Sequence, residues 1–255
     1  MGALHVGHER LMTKAQSLAE NVIVSIFINP LQFNDQDDLA KYPRTLDADI
    51  DICTRQGVDA IFAPNLEEMY ALDSDRLISA GRLGHLYEGE HRPGHFDGVL
   101  TVVDRFFTLV SPDIAVFGEK DFQQLVLIRQ FSADRHPKIG IVSVPTVRDQ
   151  DGLAISSRNI RLTPPDRITA TKLYESLCLI RSRFASGVQD ARRLEAIGRN
   201  YLSEFREITL DYLVCANASN LMAIEFVFEP AVILLAATIG NVRLIDNILL
   251  NSDSP

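Results

Sequence analysis

The first 145 residues alternate between amphipathic helical segments and short apolar runs, and this alternation restricts the fold more than any other feature. Apolar residues recur at helical spacing over residues 11–19, and a continuous apolar run follows directly. A helix that leads into a strand with apolar residues on both faces is typical of a parallel sheet covered by helices. The pattern predicts a doubly wound α/β domain, as in Rossmann-like folds. We expect its strands at residues 22–28, 59–63, 114–117 and 139–144.

After about residue 145 the pattern changes to two long helical stretches, residues 164–184 and 191–206. Several helices followed by several strands indicate a smaller α+β domain. We therefore predict two domains, a Rossmann-like domain of residues 1–146 and a C-terminal α+β domain of residues 147–255. The strand-like segments of the second domain are residues 211–214, 231–236 and 242–250.

Charge and cysteine content exclude several functional classes. With 25 Lys and Arg against 34 Asp and Glu, the net charge of −9 argues against a broad nucleic-acid surface but permits a small anionic substrate in a cleft. The three cysteines show no C-x-x-C spacing, which favours a reducing compartment. The longest apolar run, residues 230–239, is too short to span a bilayer. We expect a soluble cytoplasmic protein with no nucleic-acid or membrane partner.

The first candidate site is the H-x-G-H motif formed by His5 and His8 at the start of the first predicted helix. Imidazoles three residues apart share a helix face, and backbone N–H groups at a helix N-terminus favour phosphate. Gly7 would let a nucleotide approach the backbone. The motif predicts a site that binds phosphate during group transfer. An equally weighted alternative is that both histidines only cap the helix.

The second candidate site is the segment FGEKDFQQ, residues 117–124, which follows a predicted strand and opens a helix. Ligands bind at this edge of open α/β sheets. Lys120 is a point charge suited to phosphate, and Asp121 could accept a ribose hydroxyl. An exposed turn with a helix-capping aspartate is the alternative. The spacing is not that of a P-loop.

Three further segments carry candidate ligands. Ser156, Ser157 and Arg158 place two hydroxyls beside a guanidinium, which predicts a mobile anion clamp or, alternatively, a polar interdomain turn. The segment NPLQF, residues 29–33, offers two amides, and RPGHF, residues 92–96, offers a guanidinium. Either could equally be an ordinary loop, since Asn, Pro and Gly are common in turns.

Taken together, these motifs resemble the pantothenate synthetase family of the nucleotidyltransferase superfamily. Seven phrases in the expected order cover the whole chain: MGALHVGH, FINPLQF, YPRT, RPGHF, FGEKDFQQL, DGLAISSRN and RLIDN. The resemblance implies an acid–amino-acid ligase that joins (R)-pantoate to β-alanine through a pantoyl adenylate, releasing AMP and pyrophosphate. It also implies ATP as co-substrate, Mg²⁺ as cofactor and a cytoplasmic homodimer, with metal ligands left unassigned.

The resemblance also implies residue roles. His8 would act as the acid with His5 as its phosphate-binding companion, and Lys120 would bind the phosphates with Ser156, Ser157 and Arg158. Pantoate would be held by Gln32 and Gln124, with Asn29 and Arg92 shaping that end of the cleft. The full set of residues implied to line ATP is Met1, Gly2, Ala3, Leu4, His5, Val6, Gly7, His8, Gly118, Glu119, Lys120, Asp121, Val147, Ile155, Ser156, Ser157 and Arg158.

One departure from the family pattern concerns the N-terminal end. Family members carry a further strand that ends just before the position of Met1, and this strand would be central in a doubly wound sheet. Without it, we expect exposed strand edges. Two other functions stay open: a nucleotidyltransferase that stops at nucleotide transfer, and a nucleotide-binding protein without catalysis. The segments NPLQF and RPGHF, which suit an acid substrate, argue against the first.

Overall fold

The computed structural model describes residues 2–34, 39–40, 42–70 and 77–251. The chain divides into two compact units. The first unit comprises Met1–Glu119 and Gln123–Pro145, and the second comprises Lys120–Phe122 and Thr146–Pro255.

The first unit is built from helices and parallel strands that alternate along the chain. Its helices are α1 (Val6–Gln16), α2 (Leu46–Arg55), α3 (Leu66–Met69), α4 (Glu88–His91), α5 (His95–Val110) and α6 (Phe122–Arg135). Its strands are β1 (Ile23–Ser25), β2 (Ala60–Phe62), β3 (Ile114–Gly118) and β4 (Gly140–Val144). Short 3₁₀ turns occur at Pro30–Gln32, Arg82–His85 and Glu119–Asp121. The last of these leads into α6, and its residues Lys120 and Asp121, like the first residue of α6, belong to the second unit.

The strands of the first unit form two parallel hydrogen-bonded pairs, which confirms the predicted α/β class. β1 pairs with β2, with Val24 opposite Ile61, and β3 pairs with β4, with Val116 opposite Val142. In the described part of the chain these are separate two-stranded sheets. Every residue of β3 is half-buried, whereas strands inside a parallel sheet are normally buried on both faces. β3 thus has the exposure of an edge strand.

β1 is much shorter than the strand predicted from the apolar run at residues 22–28. The N–H of Ile26 still donates to the carbonyl of Phe62 at 2.9 Å, but Asn29 then caps a 3₁₀ turn whose first residue is Pro30. Proline has no N–H to donate to a ladder. The apolar character of residues 27 and 28 therefore serves packing rather than strand pairing, as in the edge-on contact of Phe27 with Phe106.

A small apolar cluster includes side chains from helix α1 and from β1 and its surroundings. Met12 of α1 meets Val24 and Ile26, and Leu4 and Cys53 complete the cluster. Burying a side chain such as Met12 is worth about 1.5–3 kcal/mol. Burial, and then the nearby Asp49 carboxylate, raise the pKa of the Cys53 thiol, so this cysteine stays a neutral packing group.

The second unit packs two helices against a three-stranded antiparallel sheet, which confirms the predicted α+β arrangement. The helices are α7 (Pro164–Ala185) and α8 (Ala191–Leu202), and the strands β5 (Ile208–Asn217), β6 (Ala231–Ile239) and β7 (Val242–Leu250) lie in that order. α8 ends at Leu202, four residues before the predicted end. Gly198 lets α8 approach α7 closely, since a Cβ there would lie 2.6 Å from Ile180 Cδ1.

Among the residues that the structure describes, no helix combines the length and the apolar character needed to cross a membrane.

Candidate active site

The two histidines of the H-x-G-H motif cap helix α1. The N–H of Gly7 donates to His5 Nδ1 at 3.2 Å, and the N–H of His5 donates to His8 Nδ1 at 3.2 Å. The ring centroids lie 4.0 Å apart. Because Nδ1 accepts in both rings, each neutral imidazole carries its proton on Nε2. The capping alternative and the phosphate alternative are therefore compatible, since the cap uses Nδ1 of each ring as an acceptor and the ring proton is on Nε2.

Gly7 is required by the packing of the histidine pair. A Cβ at this position would lie 2.9 Å from Cε1 of His5 and 3.0 Å from its Nδ1. These distances are too short for a side chain, so any other residue would displace the His5 ring.

A buried carboxylate, Asp49, holds the backbone that precedes α1. Its Oδ2 accepts from the N–H of Ala3 at 3.0 Å and its Oδ1 from the N–H of Leu4 at 2.7 Å, while the Asp49 residue is 1% exposed. Ala3 has a φ of +49°, a left-handed conformation that costs about 1–2 kcal/mol for a residue with a Cβ. The sequence analysis missed Asp49, which resembles an ordinary acidic residue in the first turn of a helix.

The second motif forms the 3₁₀ turn between β3 and α6. Glu119 Oε1 accepts from the Ser143 hydroxyl at 2.7 Å, which ties this turn to the end of β4. The Lys120 ammonium lies 3.9 Å from Asp121 Oδ1, the one ion pair that it makes within the described part of the chain. Its side chain is 20% exposed. Lys120 is thus a largely covered cation with a weak structural partner.

Asn29 shapes the turn that carries Gln32. Its Oδ1 accepts from the Tyr70 hydroxyl at 2.8 Å and from the N–H of Leu31 at 3.2 Å, and its Nδ2 donates to the carbonyl of Gly98 at 3.0 Å. Burial raises the pKa of Tyr70 to about 12, so its hydroxyl remains a donor across the physiological range. Asn29 is 1% exposed, and these contacts make it a support of the turn.

Arg92 fixes the same turn from the other side. Its Nη2 donates to the carbonyl of Gln32 at 3.2 Å, and His95 Nδ1 lies 2.7 Å from that oxygen. Glu88 orients the guanidinium at 3.5 Å. Helix α5 reaches the turn at Gly98, where a Cβ would lie 2.2 Å from the carbonyl oxygen of Leu31. The structure thus brings Asn29, Gln32 and Arg92 together.

Two adjacent glutamines of α6 have different environments. Gln123 is buried, its Nε2 donating to the carbonyls of Leu83 and Leu86 at 2.9 and 2.8 Å, and its Oε1 accepting from the N–H of Glu88 at 3.1 Å. Gln124 is half-buried, and no hydrogen bond joins it to Gln32 within the described residues. Gln123 therefore anchors α6 through backbone hydrogen bonds, whereas the structure describes no such bonds for the Gln124 amide.

In the second unit, residues 147–155 form a tight hairpin that leads into the Ser-Ser-Arg segment. The N–H of Ile155 donates to the carbonyl of Val147 at 3.0 Å, and Gly152 has a φ of +89° at the turn. Ser156 caps the 3₁₀ turn Ser157–Arg161, its hydroxyl accepting from the N–H of Arg158 at 3.3 Å. The predicted clamp is thus a capped turn that follows a hairpin.

Charged side chains anchor this hairpin within the second unit. Arg148 makes a bidentate pair with Asp246 at 2.6 and 2.8 Å and stacks on Tyr174, with its Cζ 3.8 Å from the ring centroid. Arg167 pairs with Asp149 and Asp151, both at 2.7 Å, and its hydrogen bond lowers the pKa of Asp151. The only sequence signal for Asp246 was its place in the phrase RLIDN.

The predicted site residues are distributed over both units, and Met1 lies outside the described residues. The first unit holds Gly2, Ala3, Leu4, His5, Val6, Gly7, His8, Asn29, Gln32, Arg92, Gly118, Glu119 and Gln124. The second unit holds Lys120, Asp121, Val147, Ile155, Ser156, Ser157 and Arg158. Over the described ranges, no three His, Cys, Asp or Glu side chains are grouped so that they could hold a metal ion.

A parallel α/β unit whose first helix starts with a capped H-x-G-H turn has the Rossmann-like architecture of nucleotide-binding proteins. Comparison with known proteins makes the assignment specific. The family model described as pantoate-beta-alanine ligase matches residues 1–249. The chain belongs to this family, a family of ligases in pantothenate biosynthesis, as the sequence motifs predicted.

Relatives and solved structures agree with this assignment. The chain is 43% identical to pantothenate synthetase of Aquifex aeolicus, over 97% of this chain and 88% of that protein. It is similar to the crystal structure of pantothenate synthetase from Thermus thermophilus, with a TM-score of 0.93 and 40% identity over 97% of this chain and 90% of that one. Pantoate-beta-alanine ligase from Francisella tularensis, solved in complex with beta-gamma ATP and beta-alanine, matches with a TM-score of 0.78 and 37% identity, over 98% and 87% of the two chains.

Proposed function

We propose that this chain condenses (R)-pantoate with β-alanine at the expense of ATP, through a pantoyl adenylate, releasing AMP and pyrophosphate. The observation that carries the proposal is the histidine pair at the N-terminus of α1. Both Nδ1 atoms accept backbone hydrogen bonds in the cap, which places the two rings at the positive end of a helix with their protons on Nε2, an arrangement suited to phosphate charge.

The reaction has two steps. In the first, a carboxylate oxygen of pantoate attacks the α-phosphorus of ATP, and the bond from that phosphorus to the pyrophosphate oxygen breaks. In the second, the β-alanine amine, having lost a proton, attacks the acyl carbon and expels AMP. Neither step needs a covalent enzyme nucleophile, so the protein acts by positioning substrates and stabilising phosphate charge.

The proposed phosphate-binding groups are cations and N–H donors. His8 and His5 would donate to phosphate oxygens through Nε2, with His8 supplying the acid function. Lys120 would stabilise the charge that develops during adenylation, and Ser156, Ser157 and Arg158 would contribute from the turn that follows the hairpin. Gly118 and Asp121 would lie by the ribose, and Val147 by the adenine.

Pantoate would be held by amides rather than cations. Gln32 is held on a turn that Asn29 and Arg92 fix, and Gln124 is half-buried on α6. An amide can both donate to and accept from the pantoate hydroxyls. A lysine would hold the carboxylate more tightly in the ground state and slow its attack.

We also infer Mg²⁺, a homodimer and a cytoplasmic location, which the family resemblance supports. Mg²⁺ commonly binds through substrate phosphates and keeps several waters, so it would arrive with ATP, and we assign it no protein ligand. Cys53, Cys178 and Cys215 are free, which suits a reducing compartment.

Product analysis tests the proposed function. Incubation with ATP, pantoate and β-alanine should give AMP and pyrophosphate in amounts equal to the pantothenate formed, as measured by chromatography. When β-alanine is omitted, labelled pyrophosphate should still exchange into ATP, provided that pantoate is present. Formation of ADP and phosphate would contradict the proposal.

Replacing Gln124 with alanine should weaken the use of pantoate and leave ATP binding nearly unchanged. Losing one amide from a neutral pairing costs about 0.5–1.5 kcal/mol, which corresponds to a roughly tenfold weaker pantoate affinity at most. Calorimetric titration with each ligand separately measures both values. Gln123→Ala is the matched comparison, since the loss of its three backbone contacts should lower the urea midpoint instead. Equal losses for ATP and pantoate in Gln124→Ala would contradict this role.

A further inference from the structure

Two neighbouring residues of β7, Asp246 and Asn247, contact both segments of the second unit that carry proposed phosphate-binding groups. The Asp246 carboxylate accepts two hydrogen bonds from Arg148, at 2.6 and 2.8 Å, at the base of the hairpin. The Asn247 Nδ2 donates to the backbone carbonyl of Lys120 at 2.9 Å. These two residues, termed here the β7 polar pair, thus join the backbone of Lys120 to the hairpin that precedes Ser156.

The guanidinium of Arg148 makes this junction rigid. Besides the bidentate pair with Asp246, its Nη1 donates to the carbonyl of Gly152 at 3.1 Å and its Nη2 to the carbonyl of Asn247 at 3.2 Å. The N–H of Asn247 also donates to Asp246 Oδ1 at 2.7 Å. The hairpin therefore cannot shift along β7 without breaking several charge-assisted hydrogen bonds at once.

The position of the β7 polar pair argues that it does more than stabilise the sheet. Asp246 is 4% exposed and Asn247 is 6% exposed, in a strand whose buried neighbours Leu244 and Ile248 are apolar. Burying polar and charged groups is costly, and well-packed apolar residues are often as stable or more so. A buried ion pair with an amide beside it therefore fits a geometric role, that of holding two segments in register.

We propose that the β7 polar pair is a positioning element for adenylation, holding Lys120 and the Ser156–Arg158 turn at a fixed separation. The inference rests on the proposed function, because it requires both segments to act on the phosphates of one ATP. Asp246 and Asn247 touch no substrate in this scheme. Their effect is exerted through the Lys120 backbone and through Arg148.

The test is the pantoate-dependent exchange of labelled pyrophosphate into ATP in the full chain. Asn247→Ala removes the donor to the Lys120 carbonyl and should lower the maximal exchange rate about tenfold, since small displacements of catalytic groups are costly. The KM for pantoate should stay within about twofold. The control is Asp211→Asn, which weakens the 2.7 Å pair that Asp211 of β5 makes with Arg243 of β7, on the same sheet. The control should keep the parent exchange rate.

Further measurements separate positioning from folding. Urea midpoints are recorded for each variant, and Asn247→Ser replaces Asn247→Ala if the latter unfolds at the assay temperature. Arg148→Lys should also slow exchange, and the double variant with Asn247→Ala should lose less than the product of the single losses, because both act on one junction. A parent-like exchange rate in the folded Asn247 variant, or multiplicative losses, would overturn this inference alone. Absence of exchange in the parent would overturn the proposed function and this inference together.

Discussion

Lys120→Ala is expected to slow adenylation by about two to three orders of magnitude, the usual cost of removing a group that stabilises charge in the transition state. The fold should survive. The ammonium makes one weak contact in the described structure, 3.9 Å from Asp121, and the Asn247 contact uses the Lys120 backbone, which alanine retains. Initial rates of AMP formation at saturating substrates measure the effect, and urea unfolding measures stability.

Lys138→Ala is the matched control for this prediction. Lys138 is an exposed lysine that follows α6 in the chain, so its removal changes the net charge equally. The control should keep the parent rate within about twofold. If Lys120→Ala also turned over within a few-fold of the parent, Lys120 would be an ordinary surface lysine and the proposed phosphate site would need another cation.

Hydrophobic periodicity was sufficient to predict the fold class, because buried strands and amphipathic helices each leave a clear pattern of apolar residues in the sequence. The buried strand β6 appears in the sequence as a continuous apolar run, and α8 as an amphipathic repeat. The predicted lengths of the strands were less accurate. The run at residues 22–28 gives a strand of three residues, since apolar side chains are equally needed where Asn29 and Pro30 turn the chain away from the sheet.

From the sequence, site residues could be proposed only where they are close together in the chain. H-x-G-H and Ser-Ser-Arg are contiguous motifs, and the phosphate binding proposed for them rests on residue type and spacing. Supporting residues act across long separations: Asp49 contacts Ala3 over 46 positions, Tyr70 contacts Asn29 over 41, and Asp246 contacts Arg148 over 98. Sequence spacing carries no signal for such contacts, since only the folded chain determines which residues meet.

Asp49 gives the second large prediction, because its carboxylate holds the backbone from which the histidine pair projects. Asp49→Ala leaves the N–H of Leu4 without its acceptor in a buried place, which costs about 1–3 kcal/mol of unfolding free energy. Ala3, held at a φ of +49°, would relax toward an ordinary conformation. His5 and His8 would then be displaced, and the rate of AMP formation should fall about ten- to a hundredfold.

Asp47→Ala is the control, because Asp47 also lies in the first turn of helix α2. Its replacement therefore removes the same favourable interaction with the helix dipole. Asp47 is exposed and belongs to no contact with residues 2–5 that the structure describes, so its removal should cost under about 1 kcal/mol and leave activity near the parent value. Asp49→Asn keeps one oxygen acceptor but turns an amide N–H₂ toward a backbone donor, and should therefore be intermediate in both rate and stability. Rates of AMP formation and urea midpoints for the three variants test whether the Asp49 carboxylate positions the histidine pair. If Asp49→Ala behaved like Asp47→Ala, the carboxylate would serve only the helix dipole, and the geometry of the histidine pair would have to be maintained by the cap of α1 alone.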